Sequence, residues 1–180
     1  MILTGSEIVK QWNAGRIRIT PFHQDQVNPN SYDFRLGSKL KTYADEELDP
    51  KRYNSVIEHV IPSEGIVLRP GKIYLGHTVE TMGSDHYVPI IRAKSSIARL
   101  GLFIHVTADL IDIGSYNQWT LQLNPVQPIK LYPNMLIGQV TFWVVKGEID
   151  LYAGKYQGST GPMESQSYRD FEIQDEKAEE

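Results

Sequence analysis

The sequence predicts a mainly β fold, a sandwich or distorted barrel entered through one short helix. Two patterns carry this expectation. Only the first turns of the chain show helical spacing, and beyond Pro21 short β-branched and aromatic runs alternate with Gly, Pro and Asn turns. In order, Thr4–Asn13 places a capping oxygen ahead of Ile8, Val9 and Trp12, and Gly15 stops the helix. Strands are expected over Ser31–Leu36, Lys39–Tyr43, Ile66–Leu68, Ile73–Val79 and Tyr87–Ala93. They continue with Leu102–Thr107, Gln118–Leu123, Ile129–Tyr132 and Leu136–Val145. Short strands at this spacing close into sandwiches or barrels. Ala44–Ser63 gathers Asp45, Glu46, Glu47 and Asp49 and reads as a polar surface insertion. Residues 1–171 are expected to form a single domain, and Glu172–Glu180 an acidic, frayed tail.

Composition narrows the function classes. The chain has 180 residues with 41% hydrophobic content, enough for a core. A formal charge of −4 argues against a nucleic-acid partner, whose binders carry a basic face. With no Cys there is no disulfide, thiol nucleophile or Cys-ligated zinc, so the zinc deaminase signature is excluded. Neither an apolar leader nor a membrane-length apolar run is present in the sequence, and a cytoplasmic location is expected. His23, His59, His77, His86 and His105 lack the spacing of a zinc site. His105 reads as a packed strand histidine with a satisfied ring in preference to a proton shuttle.

The densest chemistry lies in Arg92–Gly101, followed by His105–Ala108 and Ile111–Gly114. Lys94 and Arg99 can neutralise phosphate, Ser95 and Ser96 can donate to it, and Asp112 is a carboxylate suited to a water or a metal ion. The same run also reads as a polar turn with a surface ion pair, and Asp112 as an Asx turn before Gly114.

Five separated motifs favour the first reading. Asn28–Gly37, Ala93–Gly101, His105–Gly114, Tyr132–Gln139 and Gly154–Pro162 follow, in order, the pattern of dCTP deaminases. The chain thus resembles the dCTP deaminase branch of the dCTP deaminase/trimeric dUTPase superfamily. That resemblance implies a distorted jelly-roll-like β-barrel of the dUTPase type, assembled as a homotrimer with dCTP or dUTP bound at subunit interfaces. It implies that Lys94, Ser95, Ser96, Ile97, Ala98 and Arg99 grip the triphosphate, with Ser95 and Arg99 nearest the reaction centre. Asp112 would sit by the sugar 3′-hydroxyl and a water. Thr120, Leu121, Gln122, Gln139, Tyr152, Lys155 and Ser159 complete the implied substrate contacts. Mg²⁺ would arrive on the phosphates, with no protein ligand and no zinc.

Gln122 departs from the pattern, because the family carries a proton-shuttling Glu ten residues after the acid of the catalytic turn. An amide exchanges hydrogen bonds but carries no proton near pH 7. Asp109 is the nearest other carboxylate, and it ranks low for this role because of its odd spacing from Asp112. Ser159 replaces a family Gln in the closing tail, and Ser115-Tyr-Asn117 replaces an aromatic-x-Gly, leaving Tyr116 either to stack on the sugar or to stand exposed. The leading expectation is dCTP deamination, dCTP and water to dUTP and ammonia, impaired by Gln122. The alternatives are a dUTP diphosphatase relying on Asp112 and Mg²⁺, and a non-catalytic nucleotide-binding trimer.

Overall fold

The computed structural model describes residues 1–172; from 173 onward, the acidic tail lies outside the described residues. Helix α1 (Gly5–Asn13) packs Ile8 into the core, and Gly15 leaves it at φ 72°. Thr4 holds the N-cap position, but its hydroxyl meets Ser6 Oγ at 3.2 Å and makes no capping bond. The strands follow as β1 (Ile17–Thr20), β2 (Val27–Asn28), β3 (Ser31–Arg35), β4 (Lys39–Tyr43), β5 (Val56–Val60) and β6 (Ile66–Leu68). Then come β7 (Tyr74–Ser84), β8 (Tyr87–Ala93), the one-turn helix α2 (Ser95–Ala98), β9 (Leu102–Phe103), β10 (Asn117–Pro125), β11 (Ile129–Leu131) and β12 (Leu136–Val144).

The fold is mainly β, as the sequence predicts, with its ladders distributed over three sheets. The largest runs β5-β4-β7-β10-β9 with β1 also on β7, the second β2-β3-β12-β8, and β6 pairs with β11. Alternation along β10 puts Trp119, Leu121 and Leu123 into the core and leaves Thr120 and Gln122 on the other face. Tyr32, Phe34, Met82 and Phe142 are fully buried between the sheets. One charge pair is buried with them: Arg35 Nε donates to Glu80 Oε1 at 2.7 Å, and Glu80 is completely covered.

Two expected elements change. The polar stretch Ala44–Ser63 contains β5, antiparallel to β4 from Val60↔Lys39 to Val56↔Tyr43. Its Glu58 and Ile57 face solvent as on a charged edge strand, so no apolar alternation marks it in the sequence. The expected strand Leu102–Thr107 stops at Phe103. Beyond it, Ile104 and His105 still lie beside β10, but through a single main-chain bond from Gln122 N to Ile104 O at 2.9 Å and a side-chain bond from His105. Strands β1 and β2 have no counterpart among the expected elements.

Candidate active site

The cavity-facing row on β10 is fixed by register. Gln122 pairs with Leu75 of β7, and Leu75 in turn with Lys41 of β4, so all three side chains share one face of the large sheet. Thr120 stands on the same face one repeat earlier. Above this row opens a cavity of about 330 Å³, lined by Thr120, Gln122, His105, Asp112, Ser115, Asn117, Tyr152, Ser159 and Glu164 among others.

The loop bearing Asp112 is held from three sides. Ile111 N donates to Pro89 O at 2.9 Å, Gly114 N to Ser84 O at 2.7 Å, and Tyr152 N to Ile113 O at 2.8 Å. Gly114 adopts φ 87°, and a Cβ there would lie 2.8 Å from Leu151 Cβ, so only glycine lets the chain turn at this point. Ser115 N closes the turn on Asp112 O at 3.1 Å, leaving the carboxylate exposed at the cavity. Gln157 clamps the same turn, donating to Gly114 O at 2.8 Å and accepting from Tyr116 N at 3.0 Å.

A C-terminal strap crosses the cavity. Its main-chain N–H groups at Ser159, Gly161, Met163 and Ser165 donate to Asn117 Oδ1, Gln118 Oε1, Thr120 Oγ1 and the Tyr43 hydroxyl, at 3.0, 2.8, 3.0 and 3.0 Å. Lys41 Nζ meets Glu164 Oε2 at 2.7 Å where the strap passes over the Lys41–Leu75–Gln122 row. Burial alone would raise the Glu164 carboxyl, yet the bond and charge of Lys41 outweigh it and hold the group below its ordinary value.

The implied site residues fall into two places. Asp112, Thr120, Gln122, Tyr152 and Ser159 line the cavity. Lys94, Ser95, Ser96 and Arg99 do not, and belong to the turn around α2. There Lys94 is paired with Asp33, while Ser95, Ser96 and Arg99 are exposed. The side chains of Ile97 and Leu121 point into the core, so only their main chain can reach a ligand. Ala98 is exposed on α2. Gln139 accepts from Ser31 Oγ at 2.8 Å, and Lys155 pairs with Asp170. Asp109 lies outside the cavity wall, 3.3 Å from Arg92. Tyr116 lies under the Arg18 guanidinium at 4.5 Å and does not line the cavity.

His105 corrects the sequence reading. It lies past the end of β9, and its ring is only half satisfied: Nε2 is 2.9 Å from Thr120 O, whereas the buried Nδ1 has no partner. Desolvation holds the imidazole below its ordinary value, against the opposing effects of the Thr120 bond, the Asp109 charge and the side-chain contact with the Gln122 amide, which falls short of a full hydrogen bond. Sequence reasoning also passed over Lys41, Tyr43, Gln157 and Glu164. Of these only Gln157 lay in a quoted motif; the others join the cavity through cross-strand register and the path of the strap, which leave no local signal. Among the described residues no three His, Asp or Glu side chains gather to hold a metal ion, and no helix is long and apolar enough to cross a membrane.

A β scaffold that lines one polar cavity with carboxylate, amide and imidazole side chains, under a strap of its own chain, defines a small-molecule site built for hydrogen-bonded recognition. Comparison with known proteins gives the family. The profile described as dCTP deaminase-like matches residues 2–145. A Clostridium botulinum (strain Eklund 17B / Type B) protein named "dCTP deaminase, dUMP-forming" is 48% identical over 96% of this chain and 99% of its own length. A Hathewaya histolytica protein of the same name is 46% identical over 96% of this chain and 100% of its own. The crystal structure of 2′-deoxycytidine 5′-triphosphate deaminase from Agrobacterium tumefaciens shares the fold, with a TM-score of 0.63 at 24% identity. That match covers 80% of this chain and 48% of the other. The chain belongs to the dCTP deaminase-like family.

Proposed function

We propose that this chain hydrolyses dCTP to dUMP in one cavity, releasing ammonia and diphosphate, with the deamination step slowed by Gln122. The observation that carries the reading is the convergence of Asp112, Thr120, Gln122, Tyr152 and Ser159 on a single cavity, in a chain whose relatives are named for forming dUMP from dCTP. Asp112, exposed on a rigid turn, serves as the base for the water that attacks the triphosphate. Gln122 orients the base through its amide. Mg²⁺ carried on the triphosphate would supply charge neutralisation there.

The phosphate-gripping turn comes from a second copy in a homotrimer. Two features support this: Ser95, Ser96 and Arg99 lie outside the cavity of their own chain, and around them Leu100, Phe103 and Val126 are 51%, 51% and 61% exposed. A second reading, dUTP diphosphatase without deamination, is favoured by the amide at 122 alone.

The test is incubation of the protein and its Asp112→Asn variant with dCTP or dUTP and Mg²⁺, with ammonia, diphosphate and dUMP measured separately. The parent forms dUMP and diphosphate from both nucleotides and ammonia slowly from dCTP. In the variant, diphosphate release falls by ~10²–10⁴ while dUTP affinity and the sedimentation of the assembly persist. Diphosphate from dUTP without ammonia from dCTP selects the second reading. Binding with no product from either nucleotide leaves only a silent binding protein.

A further inference from the structure

We propose that His105 is the proton carrier at the base end of the cavity, taking the role that the amide of Gln122 cannot fill. The proposal rests on the reading above and names the group through which dCTP is deaminated.

The ring's protonation follows from its partner. A carbonyl oxygen only accepts, so the 2.9 Å contact with Thr120 O requires the hydrogen on Nε2. In the neutral ring Nδ1 is then a bare lone pair, and it is buried without any hydrogen-bond partner at the wall of the cavity. A buried acceptor left open costs stability unless a ligand completes it. Gln122 stands one strand repeat beyond Thr120 on the same face, and its side chain lies against the imidazole at the cavity wall.

The other candidates are occupied or elsewhere. Glu164 is tied to Lys41 at 2.7 Å and stays ionised, which makes it a poor proton donor. Asp112 keeps an exposed carboxylate but, on the reading above, serves the water at the triphosphate, and Asp109 pairs with Arg92 outside the cavity. Burial depresses the His105 imidazole from its ordinary value, which favours the neutral ring with its lone pair on Nδ1.

The step balances with one water. His105 Nδ1 takes a proton from water as the hydroxide oxygen bonds to C4 of cytosine, and passes that proton to ring N3. It then takes the proton of the new C4 hydroxyl and delivers it to the exocyclic amine. The C4–N bond breaks, ammonia leaves, C4 becomes the uracil carbonyl, and His105 is again neutral. Gln122 holds the base throughout by donating and accepting through its amide.

The decisive variant is His105→Gln, which keeps an N–H for Thr120 O and removes the titrating nitrogen. Ammonia release from dCTP should fall by ~10²–10⁴ relative to diphosphate release from dUTP, and His105→Gln with Gln122→Glu should recover ammonia release. Ammonia release within about threefold of the parent in His105→Gln overturns the proposal, as does an equal loss of both activities without recovery in the double variant. A parent that cleaves dUTP but releases no ammonia from dCTP also overturns it and leaves triphosphate cleavage standing; inactivity on both nucleotides removes the underlying reading instead. Should His105→Gln fail to fold, ¹⁵N spectra of the parent decide. They should show the Nε2–H tautomer and a shift at Nδ1 on adding a non-hydrolysable dCTP analogue, and an unmoved Nδ1 overturns the proposal.

Discussion

Replacing Gln122 by Glu asks whether one proton carrier is what separates this cavity from an efficient deaminase. Glu and Gln have the same shape, and residue 122 sits mid-strand with its N–H on Ile104 O at 2.9 Å, so the fold should accept the change. The new charge meets opposing fields. Lys41 lies two strands away in the same row, roughly 10 Å by strand spacing, worth about 1–2 kcal/mol of attraction at an effective dielectric near 20. Glu164, bonded to Lys41 at 2.7 Å, cancels most of that attraction, so stability and nucleotide affinity should change by less than about 1 kcal/mol. A positioned general acid/base typically contributes ~10²–10⁴ in rate, or about 3–5 kcal/mol of barrier. Ammonia release from dCTP should therefore rise steeply, and most clearly in the His105→Gln background, where no other carrier competes. The assay is steady-state ammonia production beside a dCTP binding isotherm. An unchanged ammonia rate in a folded, dCTP-binding Gln122→Glu protein would refute the reasoning, because the carboxylate would then be in place and idle.

Two further outcomes are expected. With Arg99 brought onto the triphosphate of a second copy, as proposed, Arg99→Ala should weaken dCTP by ~1.5–3 kcal/mol while barely affecting deoxycytidine, since charge-assisted bonds to phosphate would be lost; calorimetry giving equal losses would make Arg99 structural. Acid should destabilise the fold in two stages: the imidazoles of His77 and His105 are both depressed by burial, so their contribution is present above the unfolded value near 6.5 and is lost as pH falls through the folded values. Glu164, held low by Lys41, adds stability that is present above about 4.5 and lost below it. Melting curves from pH 7 to 4 test both, and a flat transition temperature between pH 7 and 5 would show that the rings are not buried in the folded protein.

The sequence revealed most of the scaffold because its strands carry their own signals. Strand β10 alternates Trp119, Leu121 and Leu123 against Thr120 and Gln122, and β12 is a β-rich run between turns. Strand β5 was hidden because an edge strand needs no apolar face, and Val56–Val60 exposes most of its residues. The residues of the Asp112 turn were legible because Asp112 and Gly114 lie two positions apart within one short motif. What was not legible depends on register and on returning chain: Lys41 reaches the cavity only because it pairs with Leu75, and Glu164 only because the strap crosses that row.

His105 shows most clearly why a site cannot be read from residue types alone. In the sequence it is one histidine between apolar neighbours, and the frequent outcome for such a residue is a ring with both nitrogens bonded. The structure instead bonds one nitrogen to Thr120 O and leaves the other buried without a partner, in a ring that lines the cavity. Of the two lining carboxylates, the ion pair with Lys41 withdraws Glu164 from proton transfer, while Asp112 stays exposed on its turn. The capacity to move a proton is thus set by which partners each titratable group already has, and the titratable lining group with an unpartnered buried nitrogen is the imidazole beside Gln122. On the proposed mechanism, an amide at position 122 leaves that imidazole to carry the proton.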